Sequence, residues 1–420
     1  MLAIALLVLA YGLLSRRLAS SPITPPLFFA AGGLVLGAGG LGLIGMEGNE
    51  QVVHLFAELT LILVLFSDAA MIDAGELRRD FAIPLRMLAI GLPLLVGLGA
   101  VAGLWLLPEL GWYGAGLLAA VLAPTDAALG QAVVTRPSVP LRMRTTLSTE
   151  SGLNDGLALP LVLVFAACSA ARGEDELLPW VGFAGRQLVV AALVGVAVGL
   201  LGARLLDAAI ERRLITGSFV RLSGLALAVL AYGASEALGG NGFIAAFVGG
   251  FAFGNTSSCD QEPMREFSEA EGELLTLITF CLFGALFVVP AAHLWTPAVF
   301  LYALLSLTVI RILPIALSLI GTGLRLPSLL FLGWFGPRGL ASILFALLVV
   351  DREGVPGSEQ VFAVVVLVVA ASIVLHGASA SPLADAYGRW SRGMHSDAAE
   401  HVARTGSPPE DQQDADRVDG

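Results

Sequence analysis

Apolar runs of about twenty residues, separated by short polar breaks, recur along this chain from Met1 to about Gly377. A helix needs ~20 such residues to cross a hydrocarbon layer ~30 Å thick. The runs predict about thirteen helical spans, at 2–15, 24–44, 52–71, 83–107, 112–134, 144–171, 180–206, 218–238, 241–254, 270–290, 297–320, 327–350 and 360–378. Period-two alternation is absent and Leu, Ala, Gly and Val dominate, which argues against a membrane barrel with its short dyad pattern. The predicted fold class is therefore all-α, a polytopic helical bundle with the lipid bilayer as its main solvent.

Two of these runs are interrupted at corresponding places. The fifth breaks at Ala123-Pro124-Thr125-Asp126 and the twelfth at Gly336-Pro337-Arg338-Gly339. Proline removes a backbone donor and clashes with the preceding turn, so carbonyls and amides near each break lose their helical partners where no water can replace them. The two spans are an odd number apart and so run in opposite directions. This is the pattern of inverted repeats whose broken helices cross at a binding site near the bilayer midplane. Prolines elsewhere, such as Pro93 and Pro314, read as packing kinks.

Charge placement sets an orientation. All 23 basic residues are arginine, and 18 of them fall in alternate loops or in the tail, against three in the intervening loops. Short cytoplasmic loops retain positive charge, so the N-terminus is expected outside and the C-terminus inside the cell membrane. The first fifteen residues lack a basic leader and a small-residue cleavage site, so they read as a retained span. Residues 1–378 form the transmembrane domain; 379–420, with four Arg against eight acidic residues, read as a polar, disordered cytoplasmic tail. Cys168, Cys259 and Cys281 suggest neither a disulfide framework nor a metal cluster, and no resident cofactor or nucleic-acid partner is expected. His54, His293 and His376 lie near span ends and are expected to snorkel. The glycine run at 239–250 reads as close helix packing, because no strand or lysine accompanies it.

Carboxylates inside apolar runs carry the chemistry. An isolated charge at bilayer depth costs at least ~2.5–3.5 kcal/mol, so such residues face a cavity and mark ion or proton pathways. In the stretch Glu150-Ser151-Gly152-Leu153-Asn154-Asp155, Ser151 and Asp155 share one helical face, while Glu150 and Asn154 share a neighbouring one. Asp155 and Ser151 would meet Thr125 and Asp126 from the first break. Glu150 would meet a buried cation, for which Arg338 is the natural partner. Carboxylates, hydroxyls and freed carbonyls suit a hard alkali cation such as Na⁺. Close carboxylates in low dielectric cannot all stay ionised and bare, so a proton and a Na⁺ compete for the same oxygens. Asp68, at the inner end of the third span, either adds a ligand, lines the funnel or is simply solvated. Glu58, Glu236 and Arg311 read as paired structural groups.

These residues carry a resemblance. Pro124-Thr125-Asp126, Glu150-Ser151-x-x-Asn154-Asp155-Gly156 and Gly336-Pro337-Arg338-Gly339 resemble the motifs of bacterial sodium/proton exchangers of the monovalent cation:proton antiporter superfamily, in the NhaP-like branch related to animal sodium/hydrogen exchangers. The resemblance implies an antiporter, not an enzyme, that exchanges Na⁺ or Li⁺ for H⁺ and serves pH homeostasis. Asp155 would bind cation and proton, assisted by Asp126, Thr125, Ser151 and Asn154, with Glu150 and Arg338 as a stabilising pair. It also implies a homodimer working by alternating access, and the Asn-Asp pair is similar to the electroneutral branch. Two departures stand out: Leu65-Phe66-Ser67-Asp68, where many relatives place Glu directly after Phe, and Ala127-Ala128 after the first Asp. K⁺/H⁺ exchange by the same machinery remains the alternative. An intramembrane aspartyl protease is disfavoured because its Gly-x-Gly-Asp signature is missing.

Overall fold

The computed structural model describes residues 2–18, 23–45, 50–72, 74–75, 81–170, 174–257, 262–350, 355–395 and 398–401. The described elements are helices, with no strand among them. In chain order they are α1 (Leu2–Leu18), α2 (Pro25–Leu36), α3 (Glu50–Ala70), α4 (Ala82–Leu106), α5 (Gly111–Val121), α6 (Ala127–Val134), α7 (Leu141–Ala170), α8 (Glu174–Glu211), α9 (Gly217–Ala237) and α10 (Gly242–Gly254). There follow α11 (Glu262–Leu286), α12 (Pro297–Ser318), α13 (Leu326–Trp334), α14 (Leu340–Val350) and α15 (Ser358–Ser391). The helices follow the predicted apolar runs in order.

By length and composition, six of them can cross a bilayer unaided, within α4, α7, α8, α9, α12 and α15. A pair bent by 46°, where α11 gives way to Val288–Leu294, makes a seventh if it is counted as one broken span rather than a re-entrant loop. The two predicted breaks are real interruptions: α5 stops at Val121 and α6 starts at Ala127, while α13 stops at Trp334 and α14 starts at Leu340. α14 is buried along nearly its whole length, and α5 from Gly114 to Val121. Their uniformly apolar sequences show why: no face needs to meet water, so each can be surrounded by other helices.

The glycines of α10 do what the sequence suggested. A Cβ at Gly250 or Gly254 would overlap the carbonyl of Phe66 or Ala70 on α3, and the other side of α10 meets Gly195 and Gly199 of α8 just as closely. Three backbones thus approach without side chains between them, the packing that small residues permit in membranes. α7 packs beside this sandwich, with Gly156 against the Phe247 ring of α10 and Gly152 against Ile72 and the Asp68 carbonyl of α3. Asp155 is thereby held where α3, α7 and α10 converge.

The chain past Ser379 departs from expectation. α15 continues to Ser391, because Ala380, Ala384 and Tyr387 recur at helical spacing and pack into a second apolar cluster with Ile315, Phe331 and Phe335. Arg136, just past α6, grips Asp385 through two 2.7 Å hydrogen bonds. Further on, Glu400 is 1% exposed and its Oε1 accepts from Arg325 N and Ser328 Oγ, both at 2.9 Å. It caps the N-terminus of α13, whose own Ncap residue, Arg325, provides no side-chain bond. The expected tail at 379–420 therefore begins as packed structure, and 402–420 lie outside the described residues. Removing this acceptor in Glu400→Ala should cost about 1–3 kcal/mol, as a buried donor left unsatisfied does. The thermal midpoint in detergent should fall, and Glu400→Gln, which keeps an acceptor, should lose less; equal midpoints for all three proteins would contradict the cap.

Candidate functional site

The two breaks meet each other. Beyond the last turn of α5 the backbone runs without helix from Ala123 to an extended Asp126, and beyond α13 it runs without helix from Phe335 to Gly339. Asp126 N donates to Pro337 O at 2.9 Å, tying the two segments together. The Asp126 carboxylate serves both half-helices that start here: Oδ1 accepts from Leu129 N of α6 at 3.1 Å, and Oδ2 from Leu340 N of α14 at 2.6 Å. Helix N-termini carry partial positive charge and unsatisfied amides, so a carboxylate between two of them is favoured twice. Gly339 is required by this geometry, since a Cβ there would overlap the Asp126 carboxylate.

Arg338 answers from the other break. Its Nη1 donates to Ala123 O at 2.6 Å and to Pro124 O at 3.0 Å, the carbonyls released where α5 ends. Its amide donates to Ser372 Oγ of α15 at 2.7 Å. Arg338 is 0% exposed; these carbonyls take Nη1, while Nε and Nη2 have no hydrogen-bond partner among the described residues. The expected ion pair of Glu150 with Arg338 is therefore corrected. Glu150 instead forks with Arg311 of α12, through Nη1 at 2.9 Å and Nη2 at 3.0 Å, both side chains being 3% exposed. The guanidinium fork matches two carboxylate oxygens at once, which is the geometry a buried pair needs.

Arg311 was visible in the sequence as a charged residue within a span, but nothing in its spacing named its partner. Its local setting is the usable signal. α12 is irregular at Thr308, whose Oγ1 bonds back to Leu304 O at 2.6 Å, and Pro314 follows three residues after Arg311. Hydroxyl back-bonding and proline both bend helices, and here they bracket the arginine. Gly336 completes the fit, since a Cβ there would overlap the Arg311 guanidinium.

The remaining predicted residues gather around Thr125. Asn154 Nδ2 donates to Thr125 Oγ1 at 2.7 Å and to Glu150 Oε1 at 3.1 Å, while its Oδ1 accepts from Thr125 N at 3.1 Å. Ser151 Oγ donates to Thr125 O at 2.7 Å, and Thr125 Oγ1 donates to Glu150 Oε2 at 3.3 Å. One turn of α7 thus holds the non-helical segment of the first break by both backbone and side chain. Asp155 stands apart: it is 7% exposed, and its Oδ1 is buried with no hydrogen-bond partner among the described residues. Asp68, Asp126 and Glu150 are the acids near enough to act on it through charge. Asp68 is half-buried on α3.

The other singled-out groups take structural partners. Glu58 bonds Tyr232 OH, and Glu236 Oε1 accepts from Gly242 N at 2.7 Å at the start of α10. His293 is exposed and in keeping with snorkelling, whereas the His54 side chain lies outside the described residues. His376 does not snorkel; it is 1% exposed.

Two interrupted helices that cap each other around a buried acid define a class, the polytopic secondary transporters with a site at the crossing of broken spans. Sequence comparison agrees. The profile of the family "Sodium/hydrogen exchanger, transmembrane" matches residues 2–386, and the chain belongs to that family. It is 31% identical over 404 residues to the K(+)/H(+) antiporter NhaP of Alkalimonas amylolytica, covering 92% of this chain and 67% of that protein. It is 26% identical to the K(+)/H(+) antiporter NhaP2 of Shewanella sp. (strain ANA-3), covering 84% of this chain and 61% of that protein. The chain thus spans about two thirds of the length of these relatives. Its fold is similar to that of the sodium proton antiporter MjNhaP1 from Methanocaldococcus jannaschii, with a TM-score of 0.72 at 19% identity, over 91% of this chain and 96% of that one.

Arg311→Ala should cost roughly 3–5 kcal/mol, since it strands a buried carboxylate. Thermal unfolding in detergent should show the loss, with part of it recovered when Glu150→Gln and Arg311→Met are combined. An Arg311→Ala protein that melts with the wild type would show that this pair does not hold α7 against α12.

Proposed function

We propose that this protein is a secondary antiporter that exchanges Na⁺ or Li⁺ for H⁺ across the cell membrane by alternating access, with both ions competing for Asp155. One observation carries this reading: among the buried polar groups at the crossing, Asp155 alone keeps a carboxylate oxygen unengaged, while Asp126, Thr125, Glu150, Asn154 and Ser151 are spent on internal bonds. A buried acceptor without a partner calls for a reason, and an exchangeable cation or proton supplies one. Ser151, Thr125 and Asp126 would have to exchange some of their internal bonds to complete the coordination of a hard cation, and Asp68 would border the approach. The protein acts as a transporter rather than as an enzyme and needs no resident cofactor. It would sit as a homodimer with its N-terminus outside and its C-terminus in the cytoplasm, where most arginines fall. K⁺/H⁺ exchange is the second reading, favoured by the names of the sequence relatives.

Asp155→Asn is expected to abolish cation-driven proton flux in proteoliposomes, because an amide neither releases a proton nor neutralises a cation. Retained flux would refute the assignment. In the wild type, the proton must leave before the cation binds, so the apparent KM for the cation should rise about tenfold per pH unit on the acid side, with little change in maximal rate. A KM independent of pH would mean the ions do not compete. Driving flux with Li⁺, Na⁺, K⁺ and choline in turn decides between the two readings: flux driven by K⁺ and not by Na⁺ would replace the first with the second. Exchange of one cation for one proton should also be indifferent to membrane voltage, and a voltage-dependent rate would exclude that stoichiometry.

A further inference from the structure

The non-helical segment 335–339 begins where α13 leaves carbonyls without helical partners and ends where α14 must start in register with Asp126. A short polar chain on α15 spans it. His376 Nε2 lies 3.0 Å from Trp334 O, the last residue of α13, and its ring lies 4.9 Å from the Trp334 ring centre. On its other side, Nδ1 is 3.1 Å from Ser372 Oγ, one helical turn earlier, and that hydroxyl accepts from Arg338 N at 2.7 Å. Entry and exit of the break are therefore tied to one turn of α15.

Two of the hydrogens in this chain have a fixed direction. Trp334 O can only accept, so Nε2 must carry the hydrogen. The Arg338 amide can only donate, so the single hydrogen of Ser372 remains free to point at Nδ1. Nδ1 also lies 3.1 Å from Ser372 O, which can only accept, so Nδ1 either takes the Ser372 hydroxyl hydrogen in a neutral ring or donates to that carbonyl; Arg338 N–H to Ser372 Oγ and Nε2–H to Trp334 O hold in both arrangements. Arg338 and Arg311 are the charged groups that act on this ring. From Arg338 the connection continues: its side chain holds Ala123 O and Pro124 O, and the next two residues, Gly339 and Leu340, contact Asp126.

We infer that His376 and Ser372 are positioning residues of the exchange site: together they fix the ends of the second break, and so the placement of Arg338 and, through Leu340 N, of Asp126. The inference rests on the exchange reading given above. A packing histidine would need neither the bond to Trp334 O nor that to Ser372, and leucine would fill its volume equally well. Groups that orient ligands without touching the ion typically change affinity by about 10–100-fold when removed.

The test compares full-length proteins in proteoliposomes. His376→Leu and Ser372→Ala should each raise the apparent KM for the driving cation roughly tenfold, with a smaller fall in maximal rate. His376→Gln, whose side-chain amide can still donate to Trp334 O, should stay within about threefold of the wild type. Unchanged KM in His376→Leu and Ser372→Ala overturns the inference, as does a His376→Gln protein as impaired as His376→Leu. Should His376→Leu fail to assemble, Ser372→Ala and His376→Gln carry the same comparison. The cation concentration that half-saturates thermal stabilisation of the purified proteins gives a readout free of transport. A wild type that binds cation without exchanging it would thus refute the exchange reading, while the same shifts in half-saturation would still decide the role of His376.

Discussion

The fold depends on a reciprocal exchange of helix caps at one point in the interior. Breaking a helix in hydrocarbon releases amides at one end and carbonyls at the other, each costing several kcal/mol if left bare. Here the first break supplies the anion for the positive ends, through Asp126 at α6 and α14, and the second supplies the cation for the negative end, through Arg338 at the carbonyls after α5. Neither break is tolerable alone. Each satisfies the other, so the crossing is a single unit whose parts cannot be moved independently.

Around that unit the polar groups divide by function according to how fully they are used. Glu150 and Arg311 neutralise each other and, with Asn154 and Ser151, fasten α7 to the non-helical segment at Thr125. Such a network is worth having in low dielectric only when nearly complete, because each missing partner is expensive there. Asp155 lies next in sequence to Asn154 but on a different face, toward α3 and α10, outside the reach of these bonds. One turn of helix thus carries both the fastening and the buried, unengaged acid, which keeps the acid in fixed register with the crossing.

Much of this was legible in the sequence. Hydropathy located the helices because backbone satisfaction in lipid leaves few alternatives, and the two proline-containing breaks announced themselves as polar interruptions of apolar runs. The helical step separated Glu150 and Asn154 from Asp155, but it grouped Ser151 with Asp155, whereas the Ser151 hydroxyl is used to fasten Thr125 O. Partner choice was not legible: Glu150 had two buried arginines to choose between, and only the bend around Thr308 and Pro314 aims Arg311 at it. The fate of Arg338 was hidden for a related reason, since its acceptors are backbone carbonyls, which every residue possesses. The extension of α15 past Ser379 was masked by polar residues that lie between the apolar positions of a helix, and Glu400 gave no sign of burial because its use is a cap offered from a distance in sequence.

Charge counting links this architecture to the proposed exchange. Asp126 and Arg338 stabilise opposite helix ends at the same crossing, and Glu150 and Arg311 cancel as a direct pair, so the fastened part of the site is formally neutral without any ion. Asp155 adds one negative charge. Carrying that charge bare through an apolar barrier is disfavoured, whereas a single monovalent cation or a single proton removes it. Under the proposed exchange the two loaded states then bear the same net charge, so the barrier to moving the site is alike in both directions, and only the empty state is arrested. Asp68, half-buried at the edge of the crossing, stays outside this count as long as water reaches it. A second compensating charge would be needed only if the moving site enclosed it.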